Sequence, residues 1–220
     1  MAGKRSYRDR CGIARALDVV GERWALLVVR ELLLGPKRFT DLRAGLPNLS
    51  PDVLAQRLRE LEESGVVRRR TLAPPAASRV YELTGRGHEL EPAIVALGRW
   101  GSTAPFPADE AGIGSDATAI ALMSLFQPSL AGDLDARFQL QLGEDIFAIE
   151  VAGGELELAR GTPENPDATI EADPGTLAEV LWHGRRLSAA ERSGDVTIVG
   201  DRPAAKRLLG SFPLPEPAPA

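Results

Sequence analysis

The chain has few of the residue types that build catalytic or metal centres. It contains one cysteine and two histidines in 220 residues, and neither histidine stands at a metal-ligand spacing from the cysteine. A single cysteine excludes an internal disulfide framework and favours a reducing compartment, so we expect a cytoplasmic protein. Ser188 and Ser193 lack a partnered base, and no phosphate-binding glycine loop occurs. We therefore expect no enzymatic activity, no metal and no cofactor.

Long apolar runs are also missing. No segment approaches the about 20 apolar residues that a membrane-spanning helix needs. The basic N-terminal segment is not followed by the apolar stretch of a secretory signal, so we expect no membrane partner. The composition, 44% hydrophobic and 26% charged, is that of an ordinary globular protein, and 220 residues suffice for two domains.

The net charge of -5 conceals two halves of opposite charge. Residues 1–104 contain 18 Lys and Arg against 12 Asp and Glu, a net charge of +6, whereas residues 105–220 contain 8 against 19, a net charge of -11. Such asymmetry favours contact of a polyanion with the first half alone. Proline, glycine and serine cluster between the halves and at the C-terminus. They predict domains at 1–104 and 117–212, a linker at 105–116, and a disordered tail at 213–220.

Apolar periodicity predicts helices at the start of the chain. They cover about residues 13–20, 24–34, 39–46 and 51–64. The second is apolar almost all round, which is typical of a buried central helix. The fourth begins with Ser50, Pro51 and Asp52, which supply an N-cap, a proline at the first helical position and an acid in the first turn.

The period then changes from that of a helix to that of a strand. Residues 66–72 and 78–83 alternate around a turn at 73–77 and predict a β-hairpin. Thr84 then caps a closing helix that extends to Trp100. Helices, a hairpin and a closing helix in this order predict a winged helix-turn-helix domain.

Motifs in this half resemble those of HxlR-type transcription regulators. Cys11 opens the series, and the others follow in the same order and spacing as in that family. They are ALDVVGERW at 16–24, REL at 30–32, GPKRFTDL at 35–42, LAQRLRELE at 54–62, LTGRG at 83–87 and Trp100-Gly101. The resemblance covers about residues 8–101. It implies a homodimeric transcription factor that binds double-stranded DNA, with a dimer interface built from the first and last helices of this region.

The fourth helix is the expected recognition helix. Such a helix presents the outward side chains of its N-terminal part to base edges in the major groove, while its apolar face holds the core. With the leucines of this helix inward, the candidates that face DNA are Ser50, Asp52, Val53, Gln56 and Arg57. Gln56 can pair with adenine, and Arg57 can reach guanine or phosphate. Many relatives carry a basic or neutral residue near the position of Asp52. A carboxylate there is unfavourable near phosphate unless it accepts a hydrogen bond from the cytosine amino group.

Further candidates surround this helix. Lys37, Arg38 and Thr40 stand at the start of the third helix, where the two basic residues are placed for phosphate contact. Arg79 is the expected wing contact. Only some of the consecutive arginines 68–70 can face DNA, because strand residues alternate. The alternative for these arginines is a solvated, salt-bridged hairpin.

Cys11 has two interpretations. The one we favour is a small buried residue that packs the first helix, which is the commonest fate of a free cysteine. The other is a redox-sensing thiol, since several HxlR-type relatives sense oxidants or electrophiles through a cysteine in this region. Arg8, Arg10 and Arg15 could favour its thiolate. Without a second cysteine, the product would be an intersubunit Cys11–Cys11 disulfide or a capped thiol.

The second half alternates between apolar and polar residues, which predicts an antiparallel meander with covering helices. Strands are expected at 138–142, 147–151, 156–158, 168–172 and 196–201, and helices at 119–125, 174–182 and 203–209. The segment from Ala168 to Leu209 resembles a sterol carrier protein type domain. It shares a strand, Asp-Pro, a helix, a short strand ending in Gly-Asp, then Pro-Ala and a leucine-rich helix. The resemblance extends over about residues 117–212.

That resemblance implies a sheet with helices over an apolar cavity for lipid-like molecules, and hence an effector-binding module. The alternative is a dimerisation or stabilising domain with a filled core. The predicted fold class is α+β, a winged helix-turn-helix domain followed by an α+β domain with a mostly antiparallel sheet and covering helices.

The leading hypothesis is a homodimeric DNA-binding transcription regulator that responds to a hydrophobic small molecule bound by its C-terminal domain. A first alternative is a redox-sensing regulator switched through Cys11. A second, of another class, is a lipid carrier that uses the winged-helix region for protein contacts.

Overall fold

The computed structural model describes residues 6–73, 77–104 and 112–216. Most of the predicted linker (residues 105–111), part of the predicted wing turn (74–76) and the end of the predicted tail (217–220) lie outside these residues. The chain divides into two compact units, residues 1–94 and 95–220. No helix in the described part of the chain is long and apolar enough to cross a membrane.

The first unit follows the predicted order of helices and hairpin. Its elements are α1 (Gly12–Val20), α2 (Ala25–Leu33), α3 (Phe39–Gly45), α4 (Pro51–Glu63), β1 (Val67–Thr71), β2 (Arg79–Leu83), α5 (Gly85–His88) and the start of α6 (Glu91–Gly101). The closing helix, predicted to run unbroken from Thr84, is in two pieces. A continuous helix would bring the Pro92 ring against the carbonyl of His88, so the chain begins a new helix with Pro92 in its first turn.

The core of the first unit forms where α2 packs against α4. Val28, Val29 and Leu32 of α2 are at most 1% exposed. Leu54, Leu58 and Leu61 of α4 are equally buried, as their helical spacing requires. Helix α2 is mostly buried, as its apolar composition predicted, and Leu27 is its exposed exception at 38%.

A third segment pairs with the two-stranded hairpin. Strands β1 and β2 pair antiparallel from Val67 opposite Leu83 to Thr71 opposite Arg79. Lys37, which lies between α2 and α3, adds a one-residue bridge on the other side of β2, where its backbone exchanges hydrogen bonds of 2.9 and 2.8 Å with Tyr81. The connection between α2 and α3 is therefore tied to the wing.

The second unit is a mixed sheet with helices. Its strands are β3 (Ala136–Leu142), β4 (Asp145–Ala152), β5 (Glu155–Arg160), β6 (Ala168–Ala172) and β7 (Val196–Gly200). Its helices after α6 are α7 (Ser115–Leu125), α8 (Pro128–Ala131), α9 (Pro174–Trp182), α10 (Leu187–Ser193) and α11 (Arg202–Leu209). The strand order is β5-β4-β3-β6-β7, and only the β3–β6 pairing in this sheet is parallel. Helix α7 begins before the predicted linker ends at residue 116.

One face of this sheet is buried. Phe138, Leu140 and Phe147 are at most 1% exposed, while Gln139, between the first two, lies on the partly exposed face. Arg160 ties the edge strand β5 to α7, because its guanidinium pairs with the buried Asp116 and lies 4.9 Å above the Phe147 ring. These contacts hold the edge strand against the helix.

The alternation of β3 gives a direct test of this arrangement. Leu140→Ala should lower the free energy of unfolding of the second unit by about 2–5 kcal/mol, because it removes a buried side chain between Phe147 and Ile170. Gln139→Ala, on the other face of the same strand, should cost less than about 0.5 kcal/mol. Chemical denaturation followed by circular dichroism measures both. Equal losses would contradict the assignment of faces.

Candidate nucleic-acid interface

Helix α4 presents a polar face to solvent. Ser50 is its N-cap, and its hydroxyl accepts a hydrogen bond from the Val53 N–H at 3.4 Å. Asp52 and Gln56 are exposed on the following turns, and Val53 is half-buried. The side-chain amide of Gln56 donates to Glu60 at 3.0 Å. Because exposed pairs of this spacing are worth only about 0.2–0.5 kcal/mol, Gln56 can leave Glu60 for a base edge.

Arg57 does not face outward, contrary to the sequence-based expectation. The residue is 8% exposed, and its guanidinium lies 2.6 Å from the Glu60 carboxylate and 3.4 Å from that of Glu22. The physical reason is its spacing, since Arg57 stands three residues after Leu54 and four before Leu61 and therefore shares their face. Its aliphatic stem packs inside the unit with the leucines.

Arg59 is an outward residue of α4 that the sequence reading missed. It follows Gln56 by three positions and is exposed, and it forms no ion pair within the part of the chain that the structure describes. The same helical spacing that places Arg57 inside could have identified Arg59. Arg59 lies beyond the N-terminal part of the helix, from which the candidates that face DNA were drawn.

Lys37 directs its ammonium group into the protein. The side chain is 13% exposed, and Nζ donates to the buried Glu31 carboxylate at 2.7 Å. The expectation of a phosphate contact is therefore not favoured for Lys37. Its neighbour Arg38 is exposed at the N-cap of α3 and forms no ion pair among the described residues.

The start of α3 carries an acid beside these candidates. The Asp41 carboxylate accepts hydrogen bonds from the Arg38 backbone N–H at 3.1 Å and from the Thr40 hydroxyl at 3.2 Å. Thr40 and Arg43 are both exposed, and their spacing places them on one face of α3. This face therefore presents the Thr40 hydroxyl and the Arg43 guanidinium, and Arg43, like Arg38, has no ion pair in the described part of the chain.

The arginines of the wing are mostly engaged in ion pairs. Arg68 and Arg70 both pair with Glu82, at 2.7 and 3.0 Å. Arg69 pairs with Glu62 at 2.8 Å and its guanidinium lies 5.3 Å from the Tyr81 ring centroid. All three arginines therefore agree with the alternative interpretation, a salt-bridged hairpin.

Arg79, at the start of β2, differs from these three. It is exposed and has no ion pair within residues 6–73, 77–104 and 112–216. Its guanidinium is available to a phosphate.

Cys11 is exposed, so the interpretation we favoured, a buried packing residue, is wrong. It is the N-cap of α1, where its backbone N–H donates to the Asp9 carboxylate at 2.9 Å. Helix α1 buries only Ala14 and Val20 along its length, and the thiol precedes that buried face. The described residues hold no cluster of three or more His, Cys, Asp or Glu side chains that could bind a metal.

Comparison with known proteins agrees with this geometry. The HxlR-like helix-turn-helix family matches residues 19–107. The HTH-type transcriptional regulator YvaP of Bacillus subtilis is 41% identical over 86 residues, which cover 39% of this chain and 80% of YvaP. The chain belongs to the HxlR family. It is therefore a transcription regulator of the helix-turn-helix class.

A second relative is the HTH-type transcriptional regulator YodB of Bacillus subtilis, 33% identical over 94 residues, 43% of this chain and 84% of YodB. The solved structure of quinone-bound YodB covers 42% of this chain and 97% of that chain, with 30% identity and a TM-score of 0.37. The family match ends at residue 107, so it assigns nothing to the sheet of the second unit.

The different environments of two neighbouring arginines can be tested by substitution. Arg57→Ala should lower the free energy of unfolding of the first unit by about 1–3 kcal/mol, because it removes buried packing and the ion pair with Glu60. Arg59→Ala, two positions later and exposed, should change it by less than about 0.5 kcal/mol. Denaturant titration of both variants measures the difference. A stable Arg57→Ala variant would contradict the buried assignment.

Proposed function

We propose that this HxlR-family chain is a homodimeric transcription regulator that binds double-stranded DNA through its first unit. The observation that carries the proposal is a set of exposed arginines on α3, α4 and β2 and at the N-cap of α3, none with an ion pair in the described part of the chain. They are Arg38, Arg43, Arg59 and Arg79. Guanidinium groups free of internal partners are available to phosphate oxygens, which position a protein on the duplex.

The proposed contacts fall into two groups. Ser50, Asp52, Val53 and Gln56 lie at the N-terminal end of α4 and would meet base edges in the major groove. The four arginines and Thr40 would contact the sugar-phosphate backbone. Lys37 and Arg57 are left out of the set, because both charged groups are held inside the unit.

Exposed apolar side chains support a homodimer. In α1, Ile13 is 72% and Leu17 41% exposed, and in α6, Leu97 is 48% and Trp100 74% exposed. A helix that leaves such side chains in water is typical of one that packs on a second copy. These are the first and last helices of the HxlR region, which the family resemblance assigns to the dimer interface.

Salt dependence tests DNA binding. Duplexes selected from genomic DNA should bind two chains, with an affinity that falls about a thousandfold over a fourfold rise in salt, because condensed counterions are released. Arg59→Gln should lower the slope of log affinity against log salt by about 0.9 for each phosphate contact removed. Titration at several salt concentrations measures the slope.

Arg192→Gln is the matched control, since this arginine is exposed on α10 of the acidic second unit. It should leave the slope unchanged. Failure of the wild-type chain to bind any duplex at low salt would contradict the proposal and favour the lipid-carrier function.

We further propose that the second unit binds a hydrophobic small molecule that changes the affinity for DNA. Two features support this role. The resemblance of the segment from Ala168 to Leu209 to sterol carrier domains provides the precedent for such a ligand. The net charge of -11 in residues 105–220 disfavours contact of the second unit with DNA, which leaves this unit available for another ligand.

A redox trigger is the second candidate, and the exposure of the Cys11 thiol favours it. An accessible thiol can react with an oxidant or an electrophile, whereas a buried one is inert. YodB, a relative within the same family, has been solved in a quinone-bound form. Cys11 is the one cysteine of this chain, so its oxidation would join two chains or cap the thiol.

One experiment separates the two triggers. DNA affinity is measured for the wild type and Cys11→Ser, each alone, with diamide, and with a long-chain fatty acid as apolar probe. A ligand of the second unit should change the affinity of both proteins equally. A redox switch should respond to diamide in the wild type only. An unchanged affinity in every arm would contradict both triggers while leaving DNA binding intact.

A further inference from the structure

Glu31 is a buried carboxylate in the otherwise apolar interior of α2. It is 2% exposed, and its two oxygens accept hydrogen bonds from Arg30 Nη2 at 2.8 Å and Lys37 Nζ at 2.7 Å. Burying a carboxylate is unfavourable unless it is paired, and a well-packed apolar residue is often at least as stabilising as a buried ion pair. The cluster therefore needs an explanation other than stability.

The carboxylate also lies against the end of α3. A methyl group at Gly45, the last residue of that helix, would overlap the Glu31 carboxylate. Glu31 thus contacts both ends of the segment from Lys37 to Gly45, which contains α3 and its N-cap Arg38. The carboxylate therefore lies between α2 and this segment.

Lys37 connects the cluster to the wing. Its ammonium is held by Glu31, while its backbone pairs with Tyr81 of β2. Arg38 is the next residue after Lys37, and Arg79 stands two residues before Tyr81 on the neighbouring strand. The two arginines are therefore carried on adjacent, antiparallel segments whose register is fixed at one pair of residues.

We propose that Glu31 is a positioning residue for DNA binding, which fixes the Lys37 segment against the wing and thereby sets the spacing of Arg38 and Arg79. This inference rests on the proposed function, because these arginines are two of its phosphate contacts. A charged, hydrogen-bonded pair is directional, so it holds the segment in one orientation where an apolar contact would allow several.

The test is the salt dependence of DNA binding by Glu31→Gln. The amide keeps the shape of the side chain and loses the charge that holds Lys37. The slope of log affinity against log salt should fall by about one, the value for one lost phosphate contact. Arg79→Gln should then lower the slope much less in the Glu31→Gln protein than in the wild type, because the contact is already impaired.

A role in stability alone would leave a different result. Glu31→Gln would then melt at a lower temperature but, while folded, would bind DNA with the wild-type slope. The changes in affinity caused by Glu31→Gln and Arg79→Gln would be additive in the double variant. Either the wild-type slope or additive effects would overturn the proposal. Glu89→Gln, an exposed residue without an ion pair in the described part of the chain, controls for the change in net charge.

A double variant keeps the proposal testable if Glu31→Gln does not fold. Glu31→Met with Lys37→Met replaces the pair by apolar side chains, which is compatible with a stable fold. A reduced slope is expected for this protein, and a wild-type slope overturns the positioning role. Absence of salt-dependent binding by the wild type would instead contradict the proposed function itself.

Discussion

The leucine face of α4 against α2 determines the rest of the first unit. Burying Leu54, Leu58 and Leu61 stabilises the unit by about 1.5–3 kcal/mol for each side chain. This contact also fixes the rotation of α4 about its axis, and hence the side chains that face solvent. Arg57 lies inside because it shares the leucine face, and Arg59 lies outside because it does not. The proposed DNA surface is therefore a product of core packing.

Elements of local origin could be predicted from the sequence. The N-cap at Ser50, the leucine period of α4 and the hairpin all depend on neighbouring residues, and the structure contains each of them. The break before Pro92 was also encoded locally, in the ring that excludes a continuous helix. It was missed because the apolar period continues across it.

Contacts between distant residues could not be predicted in this way. The pairing of Lys37 with Tyr81 joins segments far apart in sequence. Only the folded structure shows that the Glu31 carboxylate pairs with the Lys37 ammonium group. The parallel pairing of β3 with β6 is of the same kind, since alternation gives the period of a strand but not its neighbour. Cys11 was misplaced because burial statistics for cysteine do not describe a residue that precedes a helix.

Gly45 and Glu31 share one volume of the interior. The space that a side chain at position 45 would need is filled by the carboxylate from α2. A side chain at position 45 therefore requires a shorter residue at position 31, so glycine at 45 is a condition for the buried Glu31–Lys37 ion pair. The missing side chain at the end of α3 is thus what allows a charged group of α2 to lie inside the first unit.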